Sequence, residues 1–210
     1  MKTNFDYTNT KRLLSFFAVV FTLGAQSLQA QWVQTNGIYE SVVRCFVVNN
    51  SNLFAGTGDG VFLSTNSGTS WTAVNFGLAN TNVYSLAVSG SNLFAGTGGG
   101  LFRSTNNGTN WTTANAGLSY NLALSLTVLG SNLFAGTLGD GVFLSTNNGT
   151  SWTAVNTGLT YTLVWSFFVN DSNLFAGTRN GGVFLSTNNG TSWADVSIGL
   201  TNFSVRCLTI

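Results

Sequence analysis

The 210-residue chain has no histidine and no proline, only two cysteines and one methionine, and just 6% charged side chains. Without histidine, the Ser-His and Cys-His nucleophile pairs and the ligand that most catalytic zinc sites rely on are lost. Seven Lys and Arg against six Asp and Glu give a net charge of +1. So few cations cannot build a surface that neutralises a row of phosphates, and nucleic acid is excluded as a partner. The charged fraction is about a quarter of the ~25% usual in soluble domains, a level compatible at first with disorder or membrane. Disorder is ruled out by 44% hydrophobic content with 17 Phe and 6 Trp, far too apolar for an unfolded segment. No cofactor and no metal is expected.

The positive charge is concentrated at the start. Lys2, Lys11 and Arg12 precede the apolar run Leu13 to Leu23, and a small, polar stretch ending in Ala30 follows. A run of this length suits the core of an export signal and falls short of the ~20 residues a spanning helix needs. Residues 1–30 therefore read as a signal peptide, with a single N-terminal anchor helix as the competing reading. Residues 31–210 read as the mature domain, secreted, at the cell surface or periplasmic, and without a membrane association once the signal is removed. That domain keeps Arg44, Arg103, Arg179 and Arg206 against Glu40, Asp59, Asp140, Asp171 and Asp195, a net charge of −1.

Self-similarity dominates the rest. Ser-Asn-Leu-Phe-Ala-Gly-Thr begins at Ser51, Ser91, Ser131 and Ser172, and a second string ends at Trp71, Trp111, Trp152 and Trp193. Periods of about forty residues mark propeller blades or helical arrays, and the density of Val, Phe, Thr and Gly with frequent turn signals disfavours helices. Each repeat divides into four strands. In the second copy these are A (Val83 to Val88), B (Leu93 to Thr97), C (Leu101 to Thr105) and D (Asn110 to Ala114). The Asn-Gly pair between C and D suits the positive φ of a tight hairpin. Strand A alternates small Val83 and Ser85 with bulkier Tyr84 and Leu86, a pattern fit for burial on both faces as blades stack. The expected fold is all-β: a β-propeller of four-stranded antiparallel blades, about four full blades plus partial terminal strands. A β-solenoid with two coils per repeat is the competing architecture.

The mature domain opens on a strand D equivalent, Trp32 to Thr35, and closes on a further strand A, Val205 to Ile210. An open arc leaves apolar blade faces in water, so residues 31–210 are expected to be an incomplete ring, with the chain continuing beyond Ile210. A small ring closed by its terminal strands is the alternative. Cys45 and Cys207 occupy the same repeat position. They can pair only if closure brings their strands side by side; otherwise both are small thiols in inner strands.

Ser64-Thr65-Asn66-Ser67-Gly68-Thr69-Ser70-Trp71 resembles the Asp-box, or bacterial neuraminidase repeat, whose pattern is Ser-x-Asp-x-Gly-x-Thr-Trp. The matching positions are Ser64, Asn66, Gly68 and Trp71; Ser104, Asn106, Gly108 and Trp111; Ser145, Asn147, Gly149 and Trp152; and Ser186, Asn188, Gly190 and Trp193. Asn replaces the Asp, and Ser or Asn replaces the Thr before Trp. Asn can still accept backbone N–H bonds and shape the turn. The resemblance implies a propeller in which the box is the structural hairpin between the third and fourth strands, away from the ligand face. Its members include sialidases, sortilin-type receptor domains, photosystem II assembly factors and exported bacterial repeat proteins.

Sialidases, as the resemblance implies, use an Arg cluster, a Tyr nucleophile paired with Glu, and an acid/base Asp. The mature domain has the single glutamate Glu40, and Asp59 and Asp140 sit in Gly-Asp-Gly or related turns, so no carboxylate pair for hydrolysis is evident. One Asp per turn is also too few oxygen ligands for calcium. The expected function is a non-catalytic binding or structural module, with a protein or glycan partner left open. Its ligand face is formed by the D–A and B–C connections, where the repeats differ most. Candidate ligand residues are Tyr39, Glu40, Phe76, Tyr120 and Tyr161 in D–A loops and Arg179 in a B–C loop. A sialidase-like glycoside hydrolase fragment and a photosystem II assembly factor-like protein are the alternatives.

Overall fold

The computed structural model describes residues 36–39, 41–119 and 122–209. The export signal and the expected strand Trp32 to Thr35 lie outside them. Four antiparallel sheets follow one another along the chain. The first blade is β1 (Val43–Asn49), β2 (Asn52–Thr57), β3 (Gly60–Ser64) and β4 (Thr72–Ala73); the second is β5 (Val83–Ser89), β6 (Asn92–Thr97), β7 (Gly100–Ser104) and β8 (Thr112–Thr113). The third is β9 (Ala123–Leu129), β10 (Asn132–Thr137), β11 (Val142–Ser145) and β12 (Thr153–Ala154), and the fourth is β13 (Val164–Asn170), β14 (Asn173–Thr178), β15 (Gly182–Ser186) and β16 (Ala194–Asp195). Each is an A-B-C-D meander, and the A strands of successive blades lie side by side. The fold is an all-β propeller arc of four blades.

The hairpin between C and D forms for a local reason. Thr109 N–H donates to the Asn106 carbonyl at 3.1 Å, and the two central residues, Asn107 and Gly108, have φ of 54° and 80°. Two consecutive positive φ values define a type I′ turn, which Asn-Gly adopts at little cost. The same turn recurs at Ser67-Gly68, Asn148-Gly149 and Asn189-Gly190. The side chains on either side close it. The Ser104 hydroxyl donates to Asn106 Oδ1 at 2.9 Å while accepting from Gly108 N–H, and Asn110 N–H donates to the same Oδ1 at 2.9 Å.

Packing lies between blades rather than within them. Phe54, Val83, Leu93 and Trp111 belong to the layer between the first and second blades, Phe94, Leu133 and Trp152 to the next, and Phe134, Leu174 and Trp193 to the third. A fully buried Phe or Leu contributes roughly 1.5–3 kcal/mol by removal from water. Each Trp also reaches back one blade. Trp111 Nε1–H donates to the Val74 carbonyl at 2.7 Å, Trp152 to Ala114 at 2.8 Å and Trp193 to Val155 at 2.8 Å. Their backbone N–H groups bond to Phe76, Ala116 and Thr157 of the preceding blade. This explains a correction to the expected strand D. The residues just after the turn pair with the previous blade, so only two residues, Thr112–Thr113 in the second repeat, pair with strand C.

Strand A departs from strict alternation as well. The register with strand B shifts between Val43 and Cys45, between Val83 and Ser85 and between Val164 and Ser166, and in the third blade Ser125 and Ala123 face Gly136 and Thr137 in the same way. One extra residue therefore bulges from every inner strand: Arg44, Tyr84, Leu124 or Trp165. A bulge resets the side-chain phase, so Tyr84 and Leu86 do not share the buried face that alternation assigned them. Leu86 enters the core between the first and second blades, whereas Tyr84 lines an open cleft.

Residues 205–209, expected as a fifth strand A, carry no strand ladder. Strand A pairs only with its own strand B, and no described residue supplies one here. Val205 nevertheless takes the seat used by Val83 and Val164 in earlier blades, lying over Gly177 and donating its N–H to the Thr178 carbonyl at 2.9 Å. Both cysteines are free thiols. Burial pushes the Cys45 thiol up from its ordinary 9.0 to about 11, while Cys207 is exposed. At pH 8 only about one part in a thousand of Cys45 is thiolate. A maleimide titration at that pH should label one thiol per folded chain rapidly, and peptide mapping should place the label on Cys207.

Candidate functional site

Antiparallel A-B-C-D order puts the B–C turns and the D–A connections at one end of every blade. Their bonding makes that end firm. Asn75, Asn115 and Asn156 of the D–A connections accept from the first N–H groups of strand C at Val61, Leu101 and Val142. Ser197 takes this role for Val183 in the fourth blade. Asp140 in its B–C turn accepts from the Ser119 hydroxyl at 2.7 Å, and its own N–H donates to the Thr137 hydroxyl. Asp59 N–H likewise donates to the Thr57 hydroxyl. Both aspartates work as turn formers.

Each D–A connection leads into the bulge of the next strand A, and the bulges gather the site. Tyr84, Leu124, Trp165 and Arg206 line one cleft of about 340 Å³. They come from three consecutive inner strands and the terminal segment, with the short aliphatic Leu124 between two aromatic residues in blade order. Arg44 stands over the Tyr84 ring at 5.0 Å, and Arg206 stands over the Trp165 ring at the same distance. Arg44 Nη1 also donates to Asn82 Oδ1 at 2.7 Å and to the Val83 carbonyl at 3.1 Å, and Asn82 Nδ2 donates to the Tyr84 hydroxyl at 2.7 Å. Tyr84 is thereby held by its ring and by its oxygen.

Arg179 approaches from the fourth B–C turn to 6.0 Å from the Trp165 ring. Arg44, Arg179 and Arg206 are all exposed. Among the described residues none of them has a carboxylate partner, and exposed cation–π contacts are worth only about 0.5–1 kcal/mol. Their guanidinium donors remain largely available. A second cleft, of about 370 Å³, lies between the second and third blades against Arg103, Asn115 and Gly149. No aromatic side chain lines it, and Arg103 is engaged there with the Asn148 carbonyl at 3.1 Å.

Of the residues picked from sequence, Arg179 reaches the cleft's aromatic wall. Tyr161 lies against Gly181 of the fourth B–C turn, where any side chain would collide with its ring. Tyr39 and Phe76 are 62% and 78% exposed, and neither lines the cleft. The Tyr39 hydroxyl donates to Asn36 Oδ1 at 3.4 Å, and the Phe76 carbonyl accepts from Trp111 N–H. Glu40 and Tyr120 lie outside the described residues. Sequence reading missed Arg44, Tyr84, Leu124, Trp165 and Arg206 as a set. A signal was present: this one position runs Arg, Tyr, Leu, Trp, Arg between flanks that are only Val or Ala and Ser or Cys.

Residues 31–159, more than half the chain, match the family model of the DUF6242 beta propeller domain. The chain belongs to the DUF6242 β-propeller family. Among solved structures, this DUF6242 propeller is similar to the extracellular domain of a protein assigned as a hybrid two-component system from B. thetaiotaomicron. The TM-score is 0.70 at 19% identity, covering 87% of this chain and 27% of that one. It is also similar to an ancestral GH74 enzyme, with TM-score 0.62 and 26% identity over 72% of this chain and 23% of that one. A GH74 xyloglucanase from Xanthomonas campestris matches with TM-score 0.62 and 17% identity over 77% and 31% of the two chains. The DUF6242 propeller thus spans 23% to 31% of the length of these structures. No curated protein matches it. Among the described residues, no helix is long and apolar enough to cross a membrane.

Proposed function

We propose that this chain is an exported, non-catalytic binding module that takes carbohydrate at the end of the blades where the D–A and B–C connections meet the inner strands. The observation that carries this reading is the cleft at the bulge positions. It offers two aromatic side chains and an aliphatic residue between them, fixed on inner strands rather than on loop tips, with guanidinium donors beside them. Aromatic faces remove the apolar C–H face of a sugar ring from water while a polar rim takes its hydroxyls. Tyr161 and Arg179 extend this face outward.

The non-catalytic reading rests on the residues lining the cleft. Glycoside hydrolysis requires two carboxyl groups across the scissile bond. None of the four residues lining the cleft is acidic, and the Asp140 carboxylate is taken by Ser119. Hydrolysis by the GH74 neighbours belongs to chains roughly two and a half to three times as long, and the likeness carries fold alone. The Asp-box resemblance has a structural place in the same reading, since the Ser-Asn-Gly hairpins and their Trp residues serve blade stacking. Export rests on the signal-like residues 1–30.

Affinity electrophoresis of the full chain against a panel of plant and bacterial polysaccharides tests this. Retardation by at least one polysaccharide is expected, lost in Trp165→Ala without change in the far-UV spectrum, with no reducing ends released. Release of reducing ends by the protein would overturn the non-catalytic reading. Retardation unchanged in Trp165→Ala would overturn the assignment of the cleft.

A further inference from the structure

We infer that the saccharide taken by this cleft is acidic: a pyranose ring bearing a carboxylate, as in a polyuronate. The inference rests on the carbohydrate-binding reading above and adds the charge of the ligand. Three of the four described arginines, Arg44, Arg179 and Arg206, gather around Tyr84 and Trp165. The fourth, Arg103, lies at the second cleft. Three of the domain's four described cations therefore stand beside one aromatic pair.

The ion-pair inventory points the same way. Arginines that serve folding are normally answered by a carboxylate or by several carbonyls. Arg44 is partly answered by Asn82 and Val83, but Arg179 and Arg206 make no side-chain hydrogen bond among the described residues beyond their approach to Trp165. Of the four described aspartates, Asp171 follows strand A at the opposite end of its blade and Asp195 lies in the outermost strand β16. Asp59 and Asp140 share the loop end, but the Asp140 carboxylate is taken by Ser119. A planar guanidinium fork matches a carboxylate in two parallel hydrogen bonds, which hydroxyl groups cannot reproduce. The ring then lies against the aromatic wall while its carboxylate meets Arg206 and Arg179. A neutral glucan would bury the same apolar face and leave those guanidinium groups without an anion.

Quenching of tryptophan emission during titration with a galacturonate trimer, and separately with its methyl ester, tests this on the full chain. The acid is expected to bind at least tenfold more tightly than the ester at low salt, with the difference shrinking as salt rises. Arg206→Ala and Arg179→Ala should each weaken the acid about tenfold and the ester much less, so that the preference for the acid collapses, while Arg103→Ala should change neither. Both arginine side chains are exposed, so the melting temperature of these variants should match the parent. Equal affinity for acid and ester, both weakened by Trp165→Ala, would overturn the acidic ligand and leave the carbohydrate reading standing. Binding of neither trimer, together with no retardation by any polysaccharide, would overturn both.

Discussion

Replacing Trp152 by alanine should lower the unfolding free energy by about 4 kcal/mol, read as a fall in the urea midpoint with little change in slope. Trp152 is only 4% exposed and packs in the layer between the second and third blades. Truncation removes most of a large buried ring and leaves a cavity that two rigid sheets cannot collapse to fill. It also leaves the buried Ala114 carbonyl without the indole N–H that it accepts at 2.8 Å, a loss that costs roughly 1–3 kcal/mol by itself. Trp152→Phe separates the two contributions, since it keeps most of the packing and loses only the hydrogen bond. Trp71→Ala should cost about half as much, because Trp71 is half-buried in the first blade. Equal losses at Trp71 and Trp152 would mean that these residues serve their own blades rather than the layers between them.

That pairing between blades marks the boundary of what could be read from sequence. The blade itself was legible, because its determinants are local. Alternating apolar residues and the Asn-Gly turn act within a few residues of each other, the forty-residue period repeats them, and the observed sheets follow. The Trp hydrogen bonds span 37 or 38 residues, and nothing in a single repeat states that the ring reaches backward. The bulge was hidden for a related reason. Register belongs to two facing strands at once, so one extra residue in strand A cannot be seen from its own alternation. Period-two reasoning therefore placed Tyr84 and Trp165 in the core and turned attention to loop aromatics instead. Phe76 follows the outermost strand β4 closely, and neither it nor Tyr39 lines the cleft. Arg179 was found because the B–C connections differ most between repeats, and its turn lies near the fourth bulge.

Gly136→Ala should lower stability by about 3 kcal/mol and weaken the proposed saccharide binding with it. Gly136 lies within strand β10, between the inner strand of its own blade and that of the next. A Cβ there would meet Val164 Cγ1 at 2.7 Å and Val164 Cβ at 2.9 Å, and would collide with the Ser125 hydroxyl. Val164 is fully buried and β-branched, so it has no open rotamer to retreat into. Overpacking of this kind is relieved by backbone displacement, typically at 1–3 kcal/mol and occasionally more. The displacement falls where the site is built, because Ser125 directly follows Leu124 and Val164 directly precedes Trp165. Pushing the third and fourth inner strands apart separates the cleft's middle from its aromatic wall, although neither residue has been changed. Gly139→Ala provides the contrast. A Cβ at Gly139 meets nothing within 4 Å, so its effect on stability should stay within about 0.5 kcal/mol and saccharide affinity should be unaltered. Loss of stability at Gly136→Ala with full retention of binding would show that the cleft tolerates blade separation. It would place recognition on Tyr161 and Arg179 of the outer loops rather than on the convergence of the inner strands.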